Sequence, residues 1–267
     1  MHHDPSLPFT LVMLHGLLGD RDDWQALGEA LEQVLPGVRC LALNLPGHGQ
    51  PTTPAVGSFA DFHDWLSGTL AEAGVGRYGL LGYSLGGRLA LYHASRRPAG
   101  LEALWLESAH PGLAAPEREA RRAHDEHWAQ RFEQSPLADV LTAWYQQPVF
   151  ADLTPPQRQR QIQRRLANHG PAVAHMLRAT SLGRQPSLWQ WLAETDLPVG
   201  YFSGLRDPKF NTLANRLAQH APRLRHWALP GGHNLHVEHP KAMAGHLSQP
   251  LAQHLAPTLP RRGAASV

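Results

Sequence analysis

The sequence carries a single cysteine, Cys40, among 267 residues, so no intramolecular disulfide can form and a disulfide-stapled secreted scaffold is excluded. Cys40 sits in the apolar run from Val38 to Leu45, where an inert core thiol is expected. Long apolar runs are also missing: none reaches the roughly 18 residues of a membrane span, and residues 1–14 lack the basic, apolar and small-residue order of a secretory leader. Lysine is nearly absent. Lys209 and Lys241 are the only two, which leaves 22 of the 24 basic residues as arginine. Against 22 acidic residues the formal balance is +2, and no run of like charge is long enough to grip a polyanion. Neither nucleic acid nor a membrane is expected as a partner. A cytoplasmic protein, monomeric or a weak homo-oligomer, is the expectation.

What is present suits a large core. Apolar residues make up 42% of the chain and charged residues 17%, the balance of a globular protein. Short apolar runs bounded by glycine and proline recur at Phe9 to Leu14, Val38 to Leu43, Tyr78 to Gly82 and Leu101 to Leu106. Between them, Trp24 to Leu35, Ser58 to Ala73 and Leu85 to Arg96 carry helical spacing. Alternation of this kind predicts a mostly parallel sheet with helices on both faces. Ser58 followed by Asp61 has the form of a capping box at the second of these helices.

From His110 to Leu192 the strand-like runs vanish, while Trp128, Phe132, Leu137, Leu141, Trp144 and Tyr145 recur at helical intervals. The strand pattern then returns at Val199 to Ser203 and Leu224 to Leu229, separated by a helical stretch from Phe210 to His220. The expected organisation is an α/β core over 1–109 and 196–256, interrupted by a helical lid insertion over 110–195 and followed by a flexible tail over 257–267.

Gly82-Tyr83-Ser84-Leu85-Gly86 joins a strand-like run to a helix-like run, the context of a nucleophile elbow. The turn is too tight for side chains two residues either side of the serine, and the Leu85 amide at the helix start is placed to stabilise an oxyanion. His15-Gly16 directly follows the first strand, where the Leu17 amide would be the second donor. Leu45-Pro46-Gly47-His48-Gly49 makes a strand-to-loop exit in which His48 is given a structural role. Asp207 and His233 each lie just beyond a late strand, the histidine preceded by two glycines. The order serine, aspartate, histidine is that of the α/β-hydrolase fold, and it selects Ser84, Asp207 and His233 as a triad. Asp196 competes with Asp207 but precedes its strand, away from the reactive strand ends. Pro208 restricts Asp207 to extended backbone and leaves the aim of the acid open.

Over nearly its whole length the chain resembles the 2-succinyl-6-hydroxy-2,4-cyclohexadiene-1-carboxylate synthase family of menaquinone biosynthesis, known as MenH. The resemblance runs through His15-Gly16 with Gly19-Asp20 and Trp24, Gly82 to Arg88, and Glu107 with His110-Pro111-Gly112-Leu113. It continues through Trp144-Tyr145-Gln146-Gln147-Pro148-Val149-Phe150 and Gly231-Gly232-His233-Asn234. The family's reaction expels pyruvate from an enolpyruvyl cyclohexene, with the serine as base and neither metal nor cofactor. Its substrate carries three carboxylates, which suit guanidinium forks. The resemblance implies Arg88, Arg122 and Arg165 as carboxylate ligands, with Arg121 and Arg164 as adjacent alternatives, and Tyr83, Trp144 and Phe150 as pocket-lining aromatics. The competing activity for the same triad is that of an esterase, thioesterase or carbon–carbon hydrolase with Ser84 as nucleophile.

Overall fold

In a computed structural model, which describes residues 7–49 and 55–255, six parallel strands form one sheet in the order β2-β1-β3-β4-β5-β6. The elements run β1 (Phe9–Leu14), α1 (Gln25–Val34), β2 (Arg39–Leu43), α2 (Phe59–Glu72), β3 (Arg77–Tyr83), α3 (Leu85–Ser95) and β4 (Leu101–Glu107). Five helices follow: α4 (Arg118–Gln134), α5 (Leu137–Trp144), α6 (Pro155–Arg165), α7 (Gly170–Ala179) and α8 (Trp189–Glu194). The chain then completes β5 (Val199–Gly204), α9 (Pro208–His220), β6 (Arg225–Leu229), α10 (Leu235–Glu238) and α11 (Pro240–Leu255). The expected tail over 257–267 lies outside the described residues.

The apolar runs make strands because both faces of the sheet are covered. All six residues of β1 are buried, and the two-residue pleat sends them alternately to opposite sides. Phe9, Leu11 and Met13 join Trp24, Leu27 and Leu31 with Met243, Leu247 and Leu251 from α11. Val12 and Leu14 join the cluster built by α2, α3 and α9, including Phe62, Leu66, Leu89 and Leu213. Fully burying a leucine such as Leu66 contributes ~1.5–3 kcal/mol, and truncating it to alanine would cost about 2–5 kcal/mol. At the start of α2 the Ser58 hydroxyl accepts from the Asp61 amide at 3.1 Å. Asp61 turns instead to the Gly57 amide, 2.9 Å away, so the two caps serve neighbouring donors.

Two topological facts position the site. After β1 the chain adds β2 on one side and then crosses to β3 on the other, which opens a crevice beyond the strand ends where ligands bind in such sheets. Second, β4 and β5 pair directly, from Leu104 with Val199 to Glu107 with Phe202, although α4 to α8 intervene in sequence. Those helices carry their own apolar cluster, with Trp128, Phe132, Leu141 and Val173 at its centre. Leu18, just after β1, belongs to it, so these helices pack against the loop that leaves β1.

Candidate active site

Ser84 occupies the turn between β3 and α3 with φ 50° and ψ −108°, a left-handed conformation that costs a non-glycine residue ~1–3 kcal/mol. The backbone around it enforces the strain. Its amide donates to the Glu107 carbonyl at 2.8 Å, and its carbonyl accepts from the Arg88 amide at 3.0 Å. A Cβ on Gly82 would lie 2.5 Å from the Gly86 oxygen, and one on Gly86 would collide with the Leu14 carbonyl. Only glycine fits either place. Leu85 opens α3, so its amide has no acceptor inside the helix.

Asp207 caps α9. Pro208 takes the first helical position, where an N–H would have no partner in any case. The proline therefore sharpens the aim of the acid: Oδ1 accepts from the Phe210 amide at 3.2 Å, leaving Oδ2 to meet His233 Nδ1 at 2.6 Å. With its proton on Nδ1, His233 turns Nε2 toward Ser84 Oγ at 3.4 Å, a reach that commonly tightens when substrate binds. The structure brings Ser84, Asp207 and His233 together.

Glu107 supports the histidine loop, a role that the sequence pattern did not reveal. It is fully buried at the end of β4 and accepts from the Leu235 amide at 2.6 Å, the His236 amide at 3.2 Å and His236 Nδ1 at 2.8 Å. His236 in turn stacks on Trp24 with ring centres 4.0 Å apart. The available signal was an acid directly after the apolar run Ala103 to Leu106.

Ser84 opens onto a cavity of about 520 Å³ that Leu17, Leu85 and His233 also border. Trp144 and Phe150 form part of its wall. Trp144 is held edge-on to Trp128 at 4.9 Å, and Phe150 faces His233 at 6.2 Å. Three cationic side chains converge on this space: Arg88, Arg121 and Lys209. Arg88 donates to the Thr180 carbonyl at 2.8 Å. Burial, and then the neighbouring Arg121 charge, lower its pKa to about 9, so the group stays charged at neutral pH. Lys209 is lowered by burial and by Arg121. His110, pushed down to about 3 by burial and then by Lys209 and Arg88, stands among them neutral. Asp125 anchors Arg121 at 2.8 Å and accepts from the Ser181 hydroxyl at 2.7 Å. Lys209 was legible as one of only two lysines, placed two residues after the acid.

Three expected pocket residues lie elsewhere. Arg122 is turned outward and pairs with Glu119, because helical phase puts Arg121, Asp125 and Trp128 on the inner face of α4 and rotates residue 122 off it. Arg165 is buried against Asp23, at 2.8 and 2.9 Å, with Asp20 at 3.4 Å. Burial works to lower its pKa, but the Asp23 carboxylate outweighs it and raises it. Arg164 reaches Asp23 at 2.9 Å from a more exposed position. Tyr83, the last residue of β3, follows the pleat to the α1 and α11 face and packs 5.3 Å from His233. Arg165 and Tyr83 border a smaller space behind His233, not the Ser84 cavity.

The loop after β1 is fixed from both sides. Its Gly16 has room only for hydrogen, since a Cβ there would come 2.6 Å from the Tyr83 ring. Asn168, between α6 and α7, donates to the Leu18 carbonyl at 2.9 Å and accepts from the Gly49 amide at 3.3 Å. Among the described residues, no group of three or more His, Cys, Asp or Glu side chains is placed to hold a metal ion.

Residues 10–240 match the alpha/beta hydrolase fold family. The chain is 48% identical over 239 residues to a 2-succinyl-6-hydroxy-2,4-cyclohexadiene-1-carboxylate synthase of Pectobacterium atrosepticum, covering 88% of this chain and 90% of the relative. The chain belongs to this synthase family. A synthase of the same name from Yersinia pseudotuberculosis is 46% identical over 245 residues, covering 91% of this chain and 87% of the relative. In three dimensions, MenH from S. aureus superposes with a TM-score of 0.82 at 26% identity, over 92% of this chain and 94% of that one. The two chains therefore share a fold at about a quarter of their residues in common.

Proposed function

We propose that this synthase eliminates pyruvate from 2-succinyl-5-enolpyruvyl-6-hydroxy-3-cyclohexene-1-carboxylate, with Ser84 as the proton-abstracting base. The enzyme is a carbon–oxygen lyase of menaquinone biosynthesis, and its product is the diene that names the curated relatives. In the step, the hydrogen on ring carbon 2 leaves to Ser84 Oγ as His233 Nε2 takes the serine proton. The C2–H electrons form C2=C3, the former C3=C4 pair becomes C4=C5, and the C5–O bond breaks to release pyruvate as its enolate, which takes up the proton held by His233. Asp207 holds the His233 tautomer and stabilises the imidazolium. Charge develops on the succinyl carbonyl oxygen, where the Leu17 and Leu85 amides serve as donors.

The observation that carries this reading is the convergence of Arg88, Arg121 and Lys209 on the Ser84 cavity, with Asp125 as the one carboxylate among the described residues that line it. A substrate with three carboxylates needs such a wall, and guanidinium forks match carboxylates in pairs. An ester hydrolase acting on neutral acyl chains has no use for it. We assign the helices over 110–195 as the lid that carries Arg121, Trp144 and Phe150 over the serine. Incubating the enzyme with the enolpyruvyl substrate and coupling pyruvate to lactate dehydrogenase tests the assignment. Release above the spontaneous rate, lost in Ser84→Ala, is expected. Equal release with and without the enzyme would overturn it.

A further inference from the structure

His15 directly follows β1 and leads into the Gly16 turn, and it is fully buried. Both ring nitrogens are engaged. The Leu45 amide donates to Nε2 at 3.0 Å. A backbone N–H only donates, so Nε2 carries no proton and the neutral ring keeps its proton on Nδ1. Nδ1 lies 2.8 Å from the Gly16 carbonyl oxygen and donates to it. The Gly19 amide donates to the same oxygen at 3.0 Å.

The Gly16 carbonyl and the Leu17 N–H belong to one peptide group. That group is planar and trans, so the two bonds point in opposite directions. Whatever fixes the Gly16 oxygen thereby fixes the bearing of the Leu17 N–H. Leu17 borders the Ser84 cavity, and among the described residues no backbone carbonyl accepts from its amide. The turn needs such a restraint because glycine at position 16 offers little torsional resistance of its own.

We propose that His15 is a positioning residue, whose Nδ1–H tautomer, imposed by the Leu45 amide, clamps the Gly16–Leu17 peptide so that the Leu17 N–H faces the charge developing beside Ser84. The proposal rests on the assignment of Leu17 as an oxyanion donor. Burial, followed by the neighbouring His48, lowers the pKa of His15 to about 3, which keeps the ring in the neutral form that this geometry requires. A protonated ring would set Nε2–H against the Leu45 N–H.

Two substitutions separate the two ring nitrogens. In His15→Asn the side-chain amide takes the place of Nδ1 and can still donate to Gly16. In His15→Gln the terminal group takes the place of Nε2, where it can accept from Leu45 but leaves Gly16 without its donor. Loss of one oxyanion donor costs about 10² to 10³ in kcat, so we expect His15→Gln to lower kcat by about tenfold to a hundredfold with KM within about twofold. His15→Asn should recover about tenfold of that loss. The same order is expected for labelling by a fluorophosphonate, in which Ser84 Oγ bonds to phosphorus, fluoride leaves and His233 takes the serine proton. Labelling does not depend on the lyase substrate, so it distinguishes a failure of this proposal from a failure of the pyruvate-release reading. Equal losses in both variants, or a loss confined to KM, would overturn the clamp. A measurement without substitution completes the test: long-range 15N–1H spectra of the wild-type enzyme should show His15 as the Nδ1–H tautomer, and an Nε2–H tautomer would refute it.

Discussion

The Arg165 guanidinium meets both carboxylate oxygens of Asp23, and each side chain is only 4% exposed. One partner comes from the end of α6 and the other from the turn after β1, so the pair ties α6 to the loop that leaves the sheet. Removing one member leaves an uncompensated buried charge. Arg165→Met should destabilise the protein by about 3 kcal/mol, the lower end for a broken buried pair, because Arg164 still reaches Asp23. Urea unfolding measures it, and replacing both residues together by Met and Leu should cost less than either change alone.

Position on α4 makes a sharper test of the cavity wall. Arg121→Ala and Arg88→Ala should each lower kcat/KM about tenfold to a hundredfold, as expected for a lost hydrogen bond between charged groups. Arg122→Ala, whose partner is Glu119 at the surface, should leave kcat/KM within about twofold. Steady-state kinetics on the three variants decide between the two phases of the helix, and the reverse pattern would put residue 122 in the pocket.

Glu107→Gln should retain the fold but loosen the loop that carries His233, since a neutral amide accepts less strongly from the Leu235 and His236 amides. A fall in kcat of about tenfold at nearly constant KM is expected, accompanied by faster amide exchange at residues 234–236. Unchanged exchange would separate Glu107 from the loop.

Acid should weaken the protein before its carboxylates titrate. Burial is the first cause that lowers His15, His93 and His110 to about 3 and His48 to about 4, against about 6.5 in the unfolded chain. Between those limits the unfolded chain binds protons that the folded chain refuses, so stability is complete above pH 6.5 and falls as the pH drops toward 4. Each such histidine adds at most ~1.4 kcal/mol per pH unit to the slope. Thermal melting from pH 7.5 to 4.5 should show the decline, and His48→Gln should flatten it. A melting temperature constant between pH 6.5 and 5 would contradict the assignment.

Much of this was legible from residue order because local chemistry dictates it. Short apolar runs between helical stretches read as strands of a sheet covered on both faces, and the glycines around Ser84 are required by carbonyls that leave no space for a Cβ. The acid and histidine could be placed because both follow strands whose ends share one edge. What residue order did not reveal is orientation. Tyr83 adjoins the serine in sequence yet lies on the other side of the pleat. Arg121 and Arg122 differ by one helical step, which no composition resolves. Arg165 looked like a ligand until its pairing with Asp23 appeared, a contact between residues 142 positions apart. The Pro208 ambiguity disappeared once its place at the first position of α9 was visible.

The direct pairing of β4 with β5 gives the inserted helices a further consequence. Because the two strands run parallel, the chain leaves at the far end of β4 and must return to the near end before β5 begins, so the helices between them form one long crossover. Of the three cations that face Ser84, only Arg121 lies in that crossover, while Arg88 and Lys209 stay with the framework. A chimera exchanging residues 110–195 between two enzymes of this architecture would therefore carry only part of the substrate choice with the exchanged piece.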